Sequence, residues 1–190
     1  MTKRGGLAAA ALGALGFGIY GLAVRGSLTL DVGVGRTVRP LGPMAWRISA
    51  PRELVFEVIS TPYRGRTPRA LGSKLQVLER SADMVLAEHY TRVGPIVTTT
   101  LETVRFEAPE RVHFRLVRGP VPYVVEEFTL RESETGTDLE YHGELGADFW
   151  VLGRWWGAAV ARSWEKTVRA SLDAIATEAE RRAARTRSKG

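Results

Sequence analysis

Cysteine is absent from this 190-residue chain, which excludes a disulfide framework, a thiolate metal site and a cysteine nucleophile together. Histidine is scarce, and His89, His113 and His142 never fall in the H-E-x-x-H spacing that sets two imidazoles on one helix face, so no metal site is expected. No G-x-S-x-G occurs, and with it goes the serine-nucleophile elbow. Gly33-Val34-Gly35 is only a fragment of a phosphate loop, without the later glycine and lysine, so neither a nucleotide nor another cofactor is expected. Acidic residues are missing from both ends. Lys3, Arg4 and Arg25 stand at one, and Arg181, Arg182, Arg185, Arg187 and Lys189 at the other. These eight cations exceed the formal net charge of +6, so residues 26–180 sum to −2 and the folded part is not a nucleic-acid binder by charge.

What is present is a hydrophobic content of 44% against 25% charged residues, enough to bury one substantial core. The stretch Gly5 to Val24 carries no charge over a length close to the roughly 20 residues a helix needs to cross a bilayer. Residues 1–26 are therefore expected to form an N-terminal transmembrane helix, a single-pass anchor holding the protein at a membrane. A secretory signal is the alternative, in which case the cleaved product would be secreted, but no A-x-A-like cleavage site stands near Val24. Arg25, Arg36 and Arg39 follow the stretch just as Lys3 and Arg4 precede it, which leaves the side of the membrane open. Residues 27–39, rich in Gly and Val, read as a linker.

Met44 to Ser49 suits a first strand. Ala50-Pro51-Arg52-Glu53 then looks like a helix start, and the helix should stop before Pro62. From Lys74 to Asp148 the apolar period becomes two, in about six runs separated by short turns such as Gly94-Pro95, Ala108-Pro109-Glu110 and Gly119-Pro120. Links this short make neighbouring strands antiparallel. Beyond Asp148, expected as a helix cap, Leu152, Trp156, Val160, Trp164, Val168, Leu172, Ile175 and Ala179 recur at helical spacing, with Trp150 and Trp155 widening the stripe. A helix of roughly 30 residues is about 45 Å long, so the sheet must curl around it. Residues 181–190 form a basic tail that is usually solvated, although facing the cytoplasm it would suit anionic lipid.

The wording of these segments resembles the helix-grip superfamily, SRPBCC, which includes START lipid-transfer domains, pollen-allergen-like proteins and polyketide cyclases. Ile48-Ser49-Ala50-Pro51-Arg52-Glu53-Leu54-Val55-Phe56 is similar to its strand-to-helix opening. Phe106-Glu107-Ala108-Pro109-Glu110-Arg111-Val112 is similar to its middle turn, and Phe128-Thr129-Leu130 followed by Gly136-Thr137 to its last hairpin. The resemblance covers residues 40–180. It implies an α+β helix-grip fold, a curved antiparallel sheet of about seven strands around a long C-terminal helix, with a cavity for a hydrophobic small molecule between them. No universal catalytic motif comes with it.

Parity along the strands assigns an inward set. Thr98, Thr100 and Glu102 share one strand with Val104 and Phe106. Phe114 lies on the next, Glu126 and Phe128 on the following one, and Tyr141 on the last. These side chains, with Trp156 from the helix, are the expected ligand-binding residues, and Glu102, Glu126 and Tyr141 are the catalytic candidates if the protein is an enzyme. The competing reading leaves both carboxylates at solvated strand ends or paired to an arginine. His113 and His142 point outward on this parity, while His89 has no clear side. Trp46 and Tyr63 are placed near the cavity entrance, beside a basic stretch of Arg64, Arg66, Arg69 and Lys74. Three functions follow. The first is a non-catalytic, membrane-tethered binding protein for a lipid or other hydrophobic molecule, the second a cyclase- or aromatase-like enzyme without metal, and the third a partner-binding module with a filled core.

Overall fold

A computed structural model describes residues 18, 21–23, 25–65 and 74–188. The alternating runs become β1 (Thr37–Ile48), β2 (Leu75–Arg80), β3 (Met84–Val93), β4 (Ile96–Glu107), β5 (Arg111–Arg118), β6 (Tyr123–Ser133) and β7 (Gly136–Ala147). They form one sheet in the order β1-β7-β6-β5-β4-β3-β2, and every neighbouring pair is antiparallel. Against the sheet pack the helices α1 (Arg52–Arg64) and α2 (Trp150–Arg187). Alternation buries one face of the central strands: Val104 and Phe106 on β4, Val112 and Leu116 on β5, Phe128 and Leu130 on β6. Each such side chain taken from water contributes about 1.5–3 kcal/mol. The buried face meets α1 through Val55, Phe56 and Ile59, and α2 through Val160, Val168 and Leu172.

Several expectations meet corrections. The α1 helix runs through Pro62 to Arg64, because Pro62 falls in the last turn, where one missing N–H is tolerable and Gly65 N–H closes the end on the Thr61 carbonyl at 2.9 Å. Strand β1 begins at Thr37, seven residues before the expected start. Past residue 180 the chain remains helical to Arg187. There Arg181 and Arg182 are paired with Glu178, whose carboxylate they hold down to about 2, and Arg182 also reaches Glu57 at 3.4 Å. The face that α2 presents to the sheet is lined by small residues at its start. Gly153 and Gly157 are buried there, while Trp150, Leu152 and Trp155, expected on the stripe, point to solvent. A Cβ on Gly153 would lie 1.8 Å from the Asp148 carbonyl, and one on Gly157 3.3 Å from the Ala147 side chain. Close approach, more than bulk apolar area, sets the rotation of this turn.

Residues 25–36 are a strap bound across one end of the sheet. Thr99 N–H donates to the Arg25 carbonyl at 2.9 Å, and Thr29 Oγ1 donates to the Gly119 carbonyl while accepting from the Gly119 N–H, both at 2.8 Å. Asp148, instead of capping α2, is buried under the strap. It accepts from the Val32 and Gly33 N–H groups at 2.8 Å and from Arg36 Nε at 2.7 Å, and Arg36 also pairs with Asp31. The stretch Gly5 to Val24 lies outside the described residues apart from Gly18 and Gly21 to Ala23, as do Arg66, Arg69 and Lys189. Among the described residues no helix is long and apolar enough to cross a membrane.

Arg36 and the strap N–H groups hold the Asp148 carboxyl below its ordinary value of 3.8. Its contribution is therefore present at neutral pH and is lost as the pH falls through the lowered value. Asp148→Asn should cost about 2 kcal/mol at pH 7, since the Val32 and Gly33 N–H groups and Arg36 lose a charged acceptor while Arg36 keeps Asp31. Thermal unfolding followed from pH 7 downward checks this: the gap between wild type and variant should begin to narrow as the pH falls below the ordinary carboxylate value.

Candidate functional site

The inner face of the sheet is apolar except along the rows that flank β5. One row runs Ala87, Glu102, Leu116, and the neighbouring row runs Val104, Phe114, Glu126, Gly143. Glu102 and Glu126 thus stand on either side of β5, both buried, as do Thr98, Thr100 and Tyr141. Strand parity is the cause. The same alternation that carries Val104 and Phe106 inward carries Glu102 with them.

Glu126 Oε1 accepts two hydrogen bonds, from Tyr141 Oη at 2.6 Å and from Trp164 Nε1 of α2 at 2.7 Å. Burial and the nearby Glu102 push the Glu126 carboxyl up to about 7, and the two hydrogen bonds draw it back only in part. Thr100 Oγ1 donates to Glu102 Oε1 at 2.5 Å. Across from Thr100, His89 turns inward, its Nε2 2.9 Å from Tyr63 Oη. Its Nδ1 comes within 3.3 Å of Glu102 Oε2 but in a direction that makes no hydrogen bond, and it is buried without a partner. The Tyr63 hydroxyl and Nε2 share one hydrogen bond, and Nδ1 faces the Glu102 carboxyl. Burial and the two carboxylates push both the Tyr63 and Tyr141 hydroxyls far above the ordinary range, so both are phenols. Among the described residues no Lys or Arg pairs with either glutamate.

Aromatic rings enclose this cluster. Phe114 and Phe128 lie 5.1 Å apart, Phe128 and Tyr141 5.7 Å, and Tyr63 packs on Phe114 at 6.2 Å and Phe106 at 5.9 Å. Trp156 is held elsewhere, its Nε1 donating to the Pro120 carbonyl at 2.7 Å, eight residues or about 12 Å along α2 from Trp164. Trp46, expected at an entrance, donates to Asp173 at 2.9 Å and lies under Arg169. Arg64 stands over the Phe106 ring at 5.6 Å, and Lys74 is exposed. His113 faces outward between Glu107 and Glu127, and His142 is exposed. Two grooves, of about 560 and 390 Å³, run over the outer face of the sheet past Arg105, His113, Arg115 and Arg131. The cavity expected between sheet and helix is neither of these.

The inward side of His89 escaped the sequence, as did the polar contacts that Tyr63, expected at the cavity entrance, and Trp164, expected on the helix stripe, make with this cluster. Val85 and Ala87 are buried and share the parity of His89, a signal obscured by the apolar Met84 and Leu86 on the opposite parity.

The chemistry available is that of a carboxyl titrating near neutrality beside a phenol and an imidazole, in apolar surroundings. Such a group accepts or gives up a proton at physiological pH: ionised it accepts from a hydroxyl, and protonated it donates to a hydroxyl or keto oxygen.

Comparison with known proteins agrees with this architecture. Residues 44–180 match the family described as polyketide cyclase / dehydrase and lipid transport, and the chain belongs to that family. Among solved structures it is similar to the Zhui aromatase/cyclase from Streptomyces sp. R1128, at 16% identity and a TM-score of 0.62 over 77% of this chain and 96% of that one. It is similar also to the di-domain ARO/CYC BexL from the BE-7585A biosynthetic pathway, at 19% identity and a TM-score of 0.54, covering 78% of this chain and 50% of BexL. A Thermus thermophilus protein, TTHA0849, matches with a TM-score of 0.54 at 16% identity, over 75% of this chain and 93% of that one. At these identities the likeness is one of fold. A search of curated proteins found no match.

Below the ordinary value of 4.5, Glu126 is protonated in folded and unfolded chains alike. Between 4.5 and about 7 the native state keeps a proton the unfolded chain has released, so stability falls as pH rises, by on the order of 3 kcal/mol once the interval is crossed. Glu126→Gln keeps the acceptor for Tyr141 and Trp164 and removes the titration. Thermal unfolding from pH 4 to 9 should show a wild-type midpoint that falls across that interval and a variant midpoint that lacks this fall.

Proposed function

We propose that this protein is a membrane-tethered binder of a lipid or other hydrophobic small molecule, held between the sheet and α2 with its polar end at Glu126, Glu102 and His89. The observation that carries this reading is the pair of buried carboxyls, neither met by a Lys or Arg among the described residues, beside an imidazole whose Nδ1 lies 3.3 Å from Glu102 without making a hydrogen bond. A core built only for stability has no use for them: unpaired buried acids are costly, and apolar residues of similar volume would be better there. A ligand hydroxyl, which both donates and accepts, meets Nδ1 and a free carboxyl oxygen together. The ligand's apolar body takes its place by parting the Tyr63, Phe114 and Phe128 rings. The lipid-transport side of the family description supports this reading, and the uncharged stretch Gly5 to Val24 supports a single-pass tether.

One observation favours a cyclase-like reaction as a second reading. Glu126, pushed up to about 7, is poised to take a proton from carbon next to a carbonyl and return it elsewhere on a folded chain.

Native mass spectrometry of the full chain, released from mild detergent, should show an adduct that extracts into organic solvent. Bare protein in every preparation, together with no uptake of a fluorescent fatty acid, would leave a solid-cored partner-binding module. Under the second reading Glu126→Gln still binds a polyketone probe but no longer turns it over, whereas a pure carrier shows no turnover in either form.

A further inference from the structure

The first turns of α2 direct their largest apolar side chains away from the domain. Trp150, Leu152 and Trp155 are 62%, 73% and 76% exposed, with Phe149 and Val151 exposed beside them. The strap extends this surface. Val32 and Val34 are exposed, Phe149 N–H donates to the Val34 carbonyl at 2.8 Å, and Trp150 N–H to the Gly35 carbonyl at 2.9 Å. The two indoles alone present on the order of 300 Å², comparable with the largest apolar patch on a typical monomer. Phe149 and Trp150 also adopt φ of 74° and 46°, a left-handed conformation that bulky residues avoid, so the backbone is strained where these rings are displayed.

Where the chain arrives selects the occupant. Arg25, directly after the uncharged stretch, is bonded to Thr99 at the start of β4, and the strap then crosses Gly119, beyond the end of β5, to Asp148, beyond the end of β7. This is the end of the sheet from which the aromatic turn of α2 projects. Arg154 and Arg162 are exposed on these turns, and no acid follows Asp148 until Glu165. An exposed pair of indoles with arginines nearby, at the point where a bilayer-length apolar stretch joins the domain, has the composition of a membrane–water interface.

We propose that this face docks on a lipid bilayer, with Trp150, Leu152 and Trp155 seated at the boundary between headgroups and acyl chains. The proposal rests on the tether reading, and it means that a hydrophobic ligand reaches the domain from the membrane rather than through water.

Because the chain has no cysteine, a single introduced one carries a unique label. Full-length Leu152→Cys, Glu134→Cys and Arg187→Cys, each with an NBD fluorophore, are reconstituted into phosphatidylcholine–phosphatidylglycerol vesicles with or without brominated acyl chains. Flotation reports the tether and quenching reports docking. The label at 152 should be quenched roughly threefold more than those at 134 and 187, and adding Trp155→Glu should abolish that excess without stopping flotation. Equal quenching at all three positions in floating protein overturns docking and leaves the tether standing. Stronger quenching at 187 assigns the contact to the basic end of α2 instead. A blue-shifted, unquenched label at 152 gives the patch to the chain's own Gly5 to Val24 stretch or, when it depends on protein concentration, to a second copy. Failure to float removes tether and docking together.

Discussion

Trp164 from α2 and Tyr141 from β7 converge on a single oxygen of Glu126, and the relation of helix to sheet depends on this contact. A long helix crossing a curved sheet is usually held by hydrocarbon, which tolerates small shifts in rotation and register. Two hydrogen bonds below 3 Å to one buried carboxyl do not tolerate them, because any slide leaves a polar atom unsatisfied in an apolar interior. The space for the contact comes from the backbone. Gly143 is the register partner of Glu126, and a Cβ there would lie 3.1 Å from both Glu126 Cγ and Tyr141 Oη. Trp164, Glu126, Tyr141 and Gly143 therefore act as one unit, which Tyr141 extends to the Phe128 ring 5.7 Å away.

The sheet was legible in the sequence because its signal is local. Period two, short turns and the inward parity of Glu102, Glu126 and Tyr141 all follow from neighbours within one strand. What escaped depends on residues far apart in the chain. Trp164 was read as part of an apolar stripe, and nothing within α2 shows that its indole N–H meets Glu126, 38 positions earlier. The rotation of the first turns of α2 was misread for a related reason. Hydrophobic periodicity weighs large side chains, whereas Gly153 and Gly157 mark the contact face by having none, so Trp150, Leu152 and Trp155 were assigned to the core. Residues 27–39 looked like a linker by composition alone, and their role as a strap lies in backbone N–H and C=O groups that carry no sequence signature.

Among the described residues three acids are buried, and their surroundings separate structure from chemistry. Asp148 is compensated in full, by the Arg36 guanidinium and two backbone N–H groups, and its carboxyl is held low. That is how a fold secures a charge it needs for assembly, here to fasten the strap over the end of the sheet. Glu126 receives only two neutral donors and is pushed up toward neutrality, while Glu102 receives one hydroxyl and faces an imidazole nitrogen that makes no hydrogen bond. Arginine is not scarce in this chain. It lines the outer face of the same strands at Arg105, Arg115 and Arg131, one side-chain parity away from the two glutamates. Since a single inward arginine would neutralise the pair, its absence from the inner face of these strands is the arrangement a ligand-binding or proton-transferring interior requires, and one that packing alone does not explain.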